Sequence, residues 1–183
     1  MSARVIILNG VSSAGKSTLA KAIQEVASAT FLHIEMDAFI SFLPKGHEFK
    51  PDWFRIEMIA SQSGKLPRIS NGPHGDALLG VMRRFVFDAA QNGLDLIVDE
   101  VCHAAEIDDY RSGLRASDVQ FVKVFAPIET IEKREKARGD RLVGLAREQS
   151  GHLHENIRYD AEIDTSTATP REAALKILDA LGS

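Results

Sequence analysis

Gly10-Val11-Ser12-Ser13-Ala14-Gly15-Lys16-Ser17 sets two glycines, a lysine and a hydroxyl at the spacing G-x-x-x-x-G-K-[ST]. Glycines at these positions let successive main-chain N–H groups turn inward as a concave anion nest, and a helix starting behind the nest adds its N-terminal partial charge. Gly10, Ser12, Ser13, Ala14, Gly15, Lys16, Ser17 and Thr18 are therefore expected to hold nucleotide phosphates. Lys16 would reach the β and γ phosphates as a point charge, and the Ser17 hydroxyl would ligate Mg²⁺. The plain alternative is a glycine turn with a surface lysine. Context argues against it, because the apolar run Val5 to Leu8 comes directly before the motif and Leu19, Ala20, Ile23 and Ala27 follow at helical spacing.

A phosphate loop needs a partner carboxylate for its metal at the end of a neighbouring buried strand. Leu94 to Val98 is the most hydrophobic run in the chain and ends in Asp99 and Glu100. Asp99 is the expected metal partner and Glu100 the second choice; the alternative is that both acids merely open a loop or cap a helix. Transfer to an alcohol also benefits from a base, and Asp37 follows the strand candidate Phe31 to Met36, so it should emerge on the same sheet edge. Glu35 is the runner-up, and a helix N-cap ahead of Ala38 is the alternative role for Asp37. Arg134, Arg138 and Arg141 would share one face of a continuous helix, with Gly139 as a hinge. Planar guanidinium groups suit phosphate oxygens, so residues 134–149 read as a mobile lid. The bland reading is a solvated helix end with Glu135 and Asp140 as ion-pair partners.

These groups need elements to position them. Apolar runs alternate with helical periods, the pattern of an α/β fold with a parallel sheet covered on both faces. Strands are expected at Val5 to Leu8, Phe31 to Met36, Leu94 to Val98, Val119 to Phe125 and Ala161 to Ile163. Helices are expected after the phosphate loop, from Pro73 to Gly93, from Pro127 to Ala137, over part of Arg141 to Gln149, and from Thr169 to Leu181. Phe39 to Phe54 mixes aromatics with Pro44, Gly46 and Pro51 and reads as a short helix plus irregular structure, and Arg55 to Ile69 as a short hairpin around Ser63 and Gly64; together, residues 38–72 are the expected acceptor-binding lobe. Phe39, Phe42, Phe49, Trp53, Phe54 and Met58 would line an acceptor pocket there or close a small satellite core.

With 183 residues, 44% hydrophobic and 26% charged, the chain reads as one globular domain, 1–183. Its net charge of -4 provides no field for nucleic acid, so any anion site must be local. No run approaches the length needed to span a bilayer, and the single cysteine, Cys102, fits a reducing compartment, so a cytoplasmic location without a membrane partner is expected. Homo-oligomerisation stays open. His33, His47, His74, His103, His152 and His154 show no metal-ligand spacing of their own. The Arg83-Arg84 pair reads as a polar helix face, with an acceptor or phosphate contact as its functional option.

Taken together, the chain resembles the chloramphenicol phosphotransferase family of P-loop kinases over nearly its whole length. The resemblance is carried by Ile6-Ile7-Leu8-Asn9-Gly10 with Ser12 to Ser17, Met36-Asp37, Ile97-Val98-Asp99-Glu100-Val101, Ala137-Arg138-Gly139-Asp140-Arg141, and Tyr159-Asp160-Ala161-Glu162-Ile163-Asp164-Thr165. It implies a nucleotide-kinase-like P-loop fold with an arginine lid, and a kinase using ATP and Mg²⁺, without separating ATP from GTP. The acceptor would be the alcohol group of a small molecule, in the family's type case the primary hydroxyl of an antibiotic. It also implies phosphate-loop roles for Gly15, Lys16, Ser17 and Thr18, the general base at Asp37, and lid arginines at Arg138 and Arg141, with Arg134 beside them. Where the family has two aspartates at the buried strand's end, this chain has Asp99 then Glu100, and residues 38–72 look little like the type member. Kinases of a shikimate-like, nucleoside or sugar-nucleotide acceptor and a nucleotide-binding regulatory or toxin-like module are the alternatives.

Overall fold

The computed structural model describes residues 2–61, 64–139 and 142–181. Five parallel strands form the central sheet: β1 (Arg4–Asn9), β2 (Phe31–Glu35), β5 (Asp95–Glu100), β6 (Asp118–Phe125) and β7 (Ala161–Asp164), in the order β2-β5-β1-β6-β7. Side chains alternate across these strands and sort the core into two layers. Ile6, Leu8, Ile97, Val122 and Val124 pack with α1 (Lys16–Val26) and α7 (Pro170–Ala180) on one face. Val5, Ile7, Leu96 and Val98 pack with α3 (Pro73–Gln91) and α4 (Ala104–Gly113) on the other. Each fully buried Ile or Leu contributes about 1.5–3 kcal/mol, so these inner strands anchor the carboxyl edge from which the candidate groups project.

The structure refines several expectations. β2 stops at Glu35, and Met36 already opens the short helix α2 (Met36–Ile40). The 38–72 segment contains the hairpin expected over Arg55 to Ile69, slightly longer than that. After turns it forms an antiparallel hairpin of two eight-residue strands, β3 (Phe54–Ser61) and β4 (Gly64–Asn71). α5 (Ile128–Arg138) ends before Gly139, and α6 (Leu145–Ser150) is a separate short helix, so the lid region is two helices and not one continuous face. Glu135 is fully buried and accepts the backbone N–H groups of Gly144 and Ala146 at 3.0 and 2.9 Å, which fixes the start of α6. Glu135 therefore caps the start of α6. Asp140 and Arg141 lie outside the described residues. α4 has no counterpart in the sequence reading.

Candidate active site

The loop from Gly10 to Gly15 leaves β1 at the carboxyl edge and enters α1. Gly10 is needed for close approach: a Cβ there would lie 2.2 Å from the Val124 carbonyl oxygen on β6. Gly15 has φ 103°, a left-handed conformation that suits glycine, and it turns the chain into α1. The Ser12 and Ser13 hydroxyl oxygens are buried without a hydrogen-bond partner. Buried polar atoms of this kind are ordinarily satisfied, so their place in the loop fits an anionic oxygen-rich group such as a phosphate chain. The Ser12 N–H donates to Gln149 Oε1 at 2.8 Å, so the end of α6 reaches the same loop.

Lys16 Nζ donates to the carbonyls of Gly10 and Val11 at 2.9 and 3.2 Å and stands 3.7 Å from Asp99 Oδ1. The Ser17 hydroxyl donates to Asp99 Oδ2 at 2.6 Å. Burial by itself would raise the Asp99 carboxyl, but the His33 imidazole, the Lys16 ammonium and the Ser17 hydroxyl outweigh it and hold the group below the usual carboxylate range. An anionic Asp99 beside a serine hydroxyl is an oxygen donor pair suited to Mg²⁺. Glu100 takes the opposite face, as strand alternation requires. It accepts Tyr110 Oη at 2.5 Å and Arg83 Nη1 at 2.8 Å, and burial pushes its carboxyl upward. Glu100 thus stands apart from the loop, and Arg83 belongs to this buried network instead of a polar face.

The string Tyr159 to Thr165 ties β7 to the loop. Thr165 Oγ1 donates to the Ala14 carbonyl at 2.7 Å, and Asp160 Oδ2 accepts the Phe121 N–H at 2.9 Å. Asn9 Nδ2 donates to the Tyr159 hydroxyl and to the Cys102 carbonyl, both at 2.8 Å. The Tyr159 hydroxyl in turn meets His154 Nδ1 at 2.7 Å. Burial drives the His154 imidazole down to about 4 and the Tyr159 phenol up to about 12, so this contact joins two neutral groups near pH 7.

Residues 3–182 match the family described as chloramphenicol phosphotransferase-like protein. The chain belongs to that family. Two Mycobacterium tuberculosis proteins, each named "Putative O-phosphotransferase", are 32% identical to it over 173 residues, which is 91% of this chain and 76% of theirs. Among solved structures, the tunicamycin resistance protein of Deinococcus radiodurans has a TM-score of 0.67 at 18% identity, covering 98% of this chain and 96% of its own. APS kinase of Mycobacterium tuberculosis, solved with AMPPNP and APS, has a TM-score of 0.64 at 14% identity, covering 100% and 99%. These two share the fold.

The remaining predicted residues are distributed unevenly. Asp37 is exposed, in the first turn of α2, and Glu35 is the N-cap residue; Asp37 is therefore not the cap. β2 pairs with β5 so that Glu35 lies opposite Asp99, which sets Asp37 on the same sheet edge as the loop. Arg134 Nη1 and Nη2 donate to Thr165 Oγ1 and the Thr165 carbonyl, both at 2.9 Å, so its guanidinium braces the loop's neighbour. Arg138 is exposed in the last turn of α5, and Arg141 lies outside the described residues. The aromatics divide: Phe39 packs on Phe42 and Phe85 with centroids 5.3 and 6.2 Å apart, whereas Trp53 stacks near His74 at 5.2 Å and Phe54 is buried. Sequence reasoning missed Gln149, Thr165 and His33 as neighbours of the loop and of Asp99. For Thr165 a signal existed in the resemblance string; for Gln149 and His33 the proximity arises only through tertiary packing.

Proposed function

We propose that this protein transfers the γ-phosphate of ATP to an alcohol group of a small molecule, in the cytoplasm, with Mg²⁺. One observation carries the reading: Ser17 and Lys16 meet Asp99 directly beside a loop whose Ser12 and Ser13 hydroxyls are buried and unpartnered. Family membership supports it. Bound Mg²⁺ would supply positive charge that stabilises the phosphates during transfer. Ser17 and Asp99 are the residues that would hold it. Gly10, Ala14, Gly15 and Thr18 complete the cradle with Ser12 and Ser13, and Lys16 supplies positive charge to the transferring group. Asp37 accepts the acceptor's hydroxyl proton as the new O–P bond forms and the bond from γ phosphorus to the bridging oxygen breaks, releasing ADP. Arg138 and Arg141 neutralise the transferring phosphoryl group from the lid, while Arg134 acts at one remove by holding Thr165 and the loop.

The acceptor is proposed to rest an apolar body on Phe39, Phe42 and Phe85 with its hydroxyl beside Asp37, which suits chloramphenicol or a related antibiotic. A second reading, a polar acceptor such as a sugar or nucleoside, is favoured by the hairpin, where Arg55, Glu57 and Arg68 stand on paired strands. Mass-spectrometric screening for an added phosphate, with ATP and Mg²⁺ across antibiotics and hydroxylated metabolites, separates them. Phosphorylation of aromatic alcohols supports the first reading and phosphorylation of sugars the second. Release of free phosphate alone, with no acceptor modified, would overturn both in favour of a nucleotide-hydrolysing module.

A further inference from the structure

β2 carries His33 and Glu35 on the face that also presents Asp99, because Glu35 is in register with Asp99 and His33 with Ile97. His33 takes no part in the proposed transfer, yet its side chain is only 9% exposed. Its Nε2 is buried with no hydrogen-bond partner and stands 3.8 Å from Asp99 Oδ2, beyond hydrogen-bonding range. On the other side of the ring, Nδ1 is 3.4 Å from Glu35 Oε1. One nitrogen and two carboxylate oxygens can be chosen from His33, Glu35 and Asp99 that all lie within 4.8 Å of one another. Ligands each about 2.1 Å from a shared ion lie roughly 3 to 4 Å apart, so a small adjustment would bring the three onto one cation.

The charge balance points the same way. Two carboxylates, Glu35 and Asp99, gather beside one lysine, Lys16, 3.7 Å from Asp99, and the buried, unpartnered His33 Nε2 is a polar atom that a bound ion would satisfy. Mg²⁺ prefers oxygen ligands throughout, whereas an imidazole among carboxylates favours divalent ions of the first transition row.

We infer that His33, Glu35 and Asp99 form a nitrogen-ligated site for a divalent transition-metal ion of the Mn²⁺ class, at the mouth of the phosphate loop and able to fill without nucleotide. This deepens the proposed function, from which it takes Asp99 as a cation ligand. The site gives the enzyme a second, softer metal preference beside Mg²⁺.

The test is titration of the full chain with Mn²⁺ alone, followed by electron paramagnetic resonance, with spin-echo modulation to detect a directly bound imidazole nitrogen. The expected result is one Mn²⁺ per chain, nitrogen modulation in the wild type, and excess Mg²⁺ displacing it only weakly. His33→Ala should lose the modulation and at least about tenfold in Mn²⁺ affinity, and Glu35→Gln should weaken binding while keeping the nitrogen signal. Absence of Mn²⁺ binding without nucleotide, an unchanged affinity in folded His33→Ala, or wild-type binding without nitrogen modulation would each overturn the proposal. If His33→Ala does not fold, the wild-type modulation and the Glu35→Gln titration still decide. ATP binding with Mg²⁺ is measured separately: its failure would count against phosphotransfer and leave the Mn²⁺ titration readable.

Discussion

Adjacent acids on β5 serve different halves of the molecule. Asp99 faces α1 and takes the Ser17 hydroxyl, while Glu100 turns toward α3 and α4 and is satisfied by Tyr110 and Arg83. The importance of an acid at this strand end is legible in the sequence, and so is the separation of the two, since neighbouring residues on a strand point to opposite faces. The closeness of His33 to Asp99 is not legible, because it depends on which strand lies next to β5 and in what register. At this scale, Asp37→Asn should lower kcat by about 10²- to 10⁴-fold with ATP affinity nearly unchanged, as read by steady-state kinetics beside a nucleotide-binding titration; equal losses of both would mark a structural role. Lys16→Ala should abolish ATP binding measured by calorimetry, and retained binding would contradict its place in the cradle. Arg83→Met should destabilise the fold by about 3–5 kcal/mol in urea unfolding, since it leaves Glu100 buried without its cation. Burial already raises the Glu100 carboxyl, so the loss should shrink at acid pH, where that group takes up a proton.

Elements with strong periodicity were readable and those without it were not. β1, β5 and α3 announce themselves through unbroken apolar runs or a clear stripe. α4 does not: within Ala104–Gly113 the buried positions are Ile107 and Tyr110 only, set among Asp108, Asp109 and Arg111. Its one local signal is Glu106, whose carboxylate accepts the His103 N–H at 2.9 Å and so closes the helix start. The hairpin β3–β4 is half exposed along both strands, so alternation is blurred, and it is legible over Arg55 to Ile69 through its Ser63-Gly64 turn signal instead. The α5–α6 connection carries a prediction of its own. Glu135→Ala removes a carboxylate that holds the Gly144 and Ala146 N–H groups at the start of α6, and should lower stability by about 1.5–3 kcal/mol. Thermal unfolding checks this, and an unchanged Tm would mean the connection is held by other contacts.

For the whole molecule, the parallel order β2-β5-β1-β6-β7 gathers the cradle, Asp99 and the start of α2 on one edge, an arrangement the alternation of runs foretold in class though not in strand order. Among the described residues no helix is long and apolar enough to cross a membrane. His154 links the far strand to this edge through Tyr159 and Asn9, and its imidazole titrates near 4 in the fold against an ordinary value near 6.5. The folded state therefore binds that proton less readily than the unfolded chain, so stability is full above about 6.5 and declines as pH falls toward 4. His154→Gln should flatten this part of a urea-midpoint profile against pH; an identical slope in the variant would assign the acid sensitivity elsewhere.

The hairpin meets α6 where Arg68 Nε donates to Glu148 Oε1 at 2.6 Å, and Glu148 is also met by His152 Nε2 at 3.0 Å. The phosphate loop is rooted in a five-stranded sheet, while the hairpin stands outside that sheet and packs on α6 through the Arg68–Glu148 pair and through Leu66 and Pro67 beside Gly144. Substitutions in the hairpin can thus reshape that flank while the sheet edge carrying Asp99 and the glycine loop keeps its form.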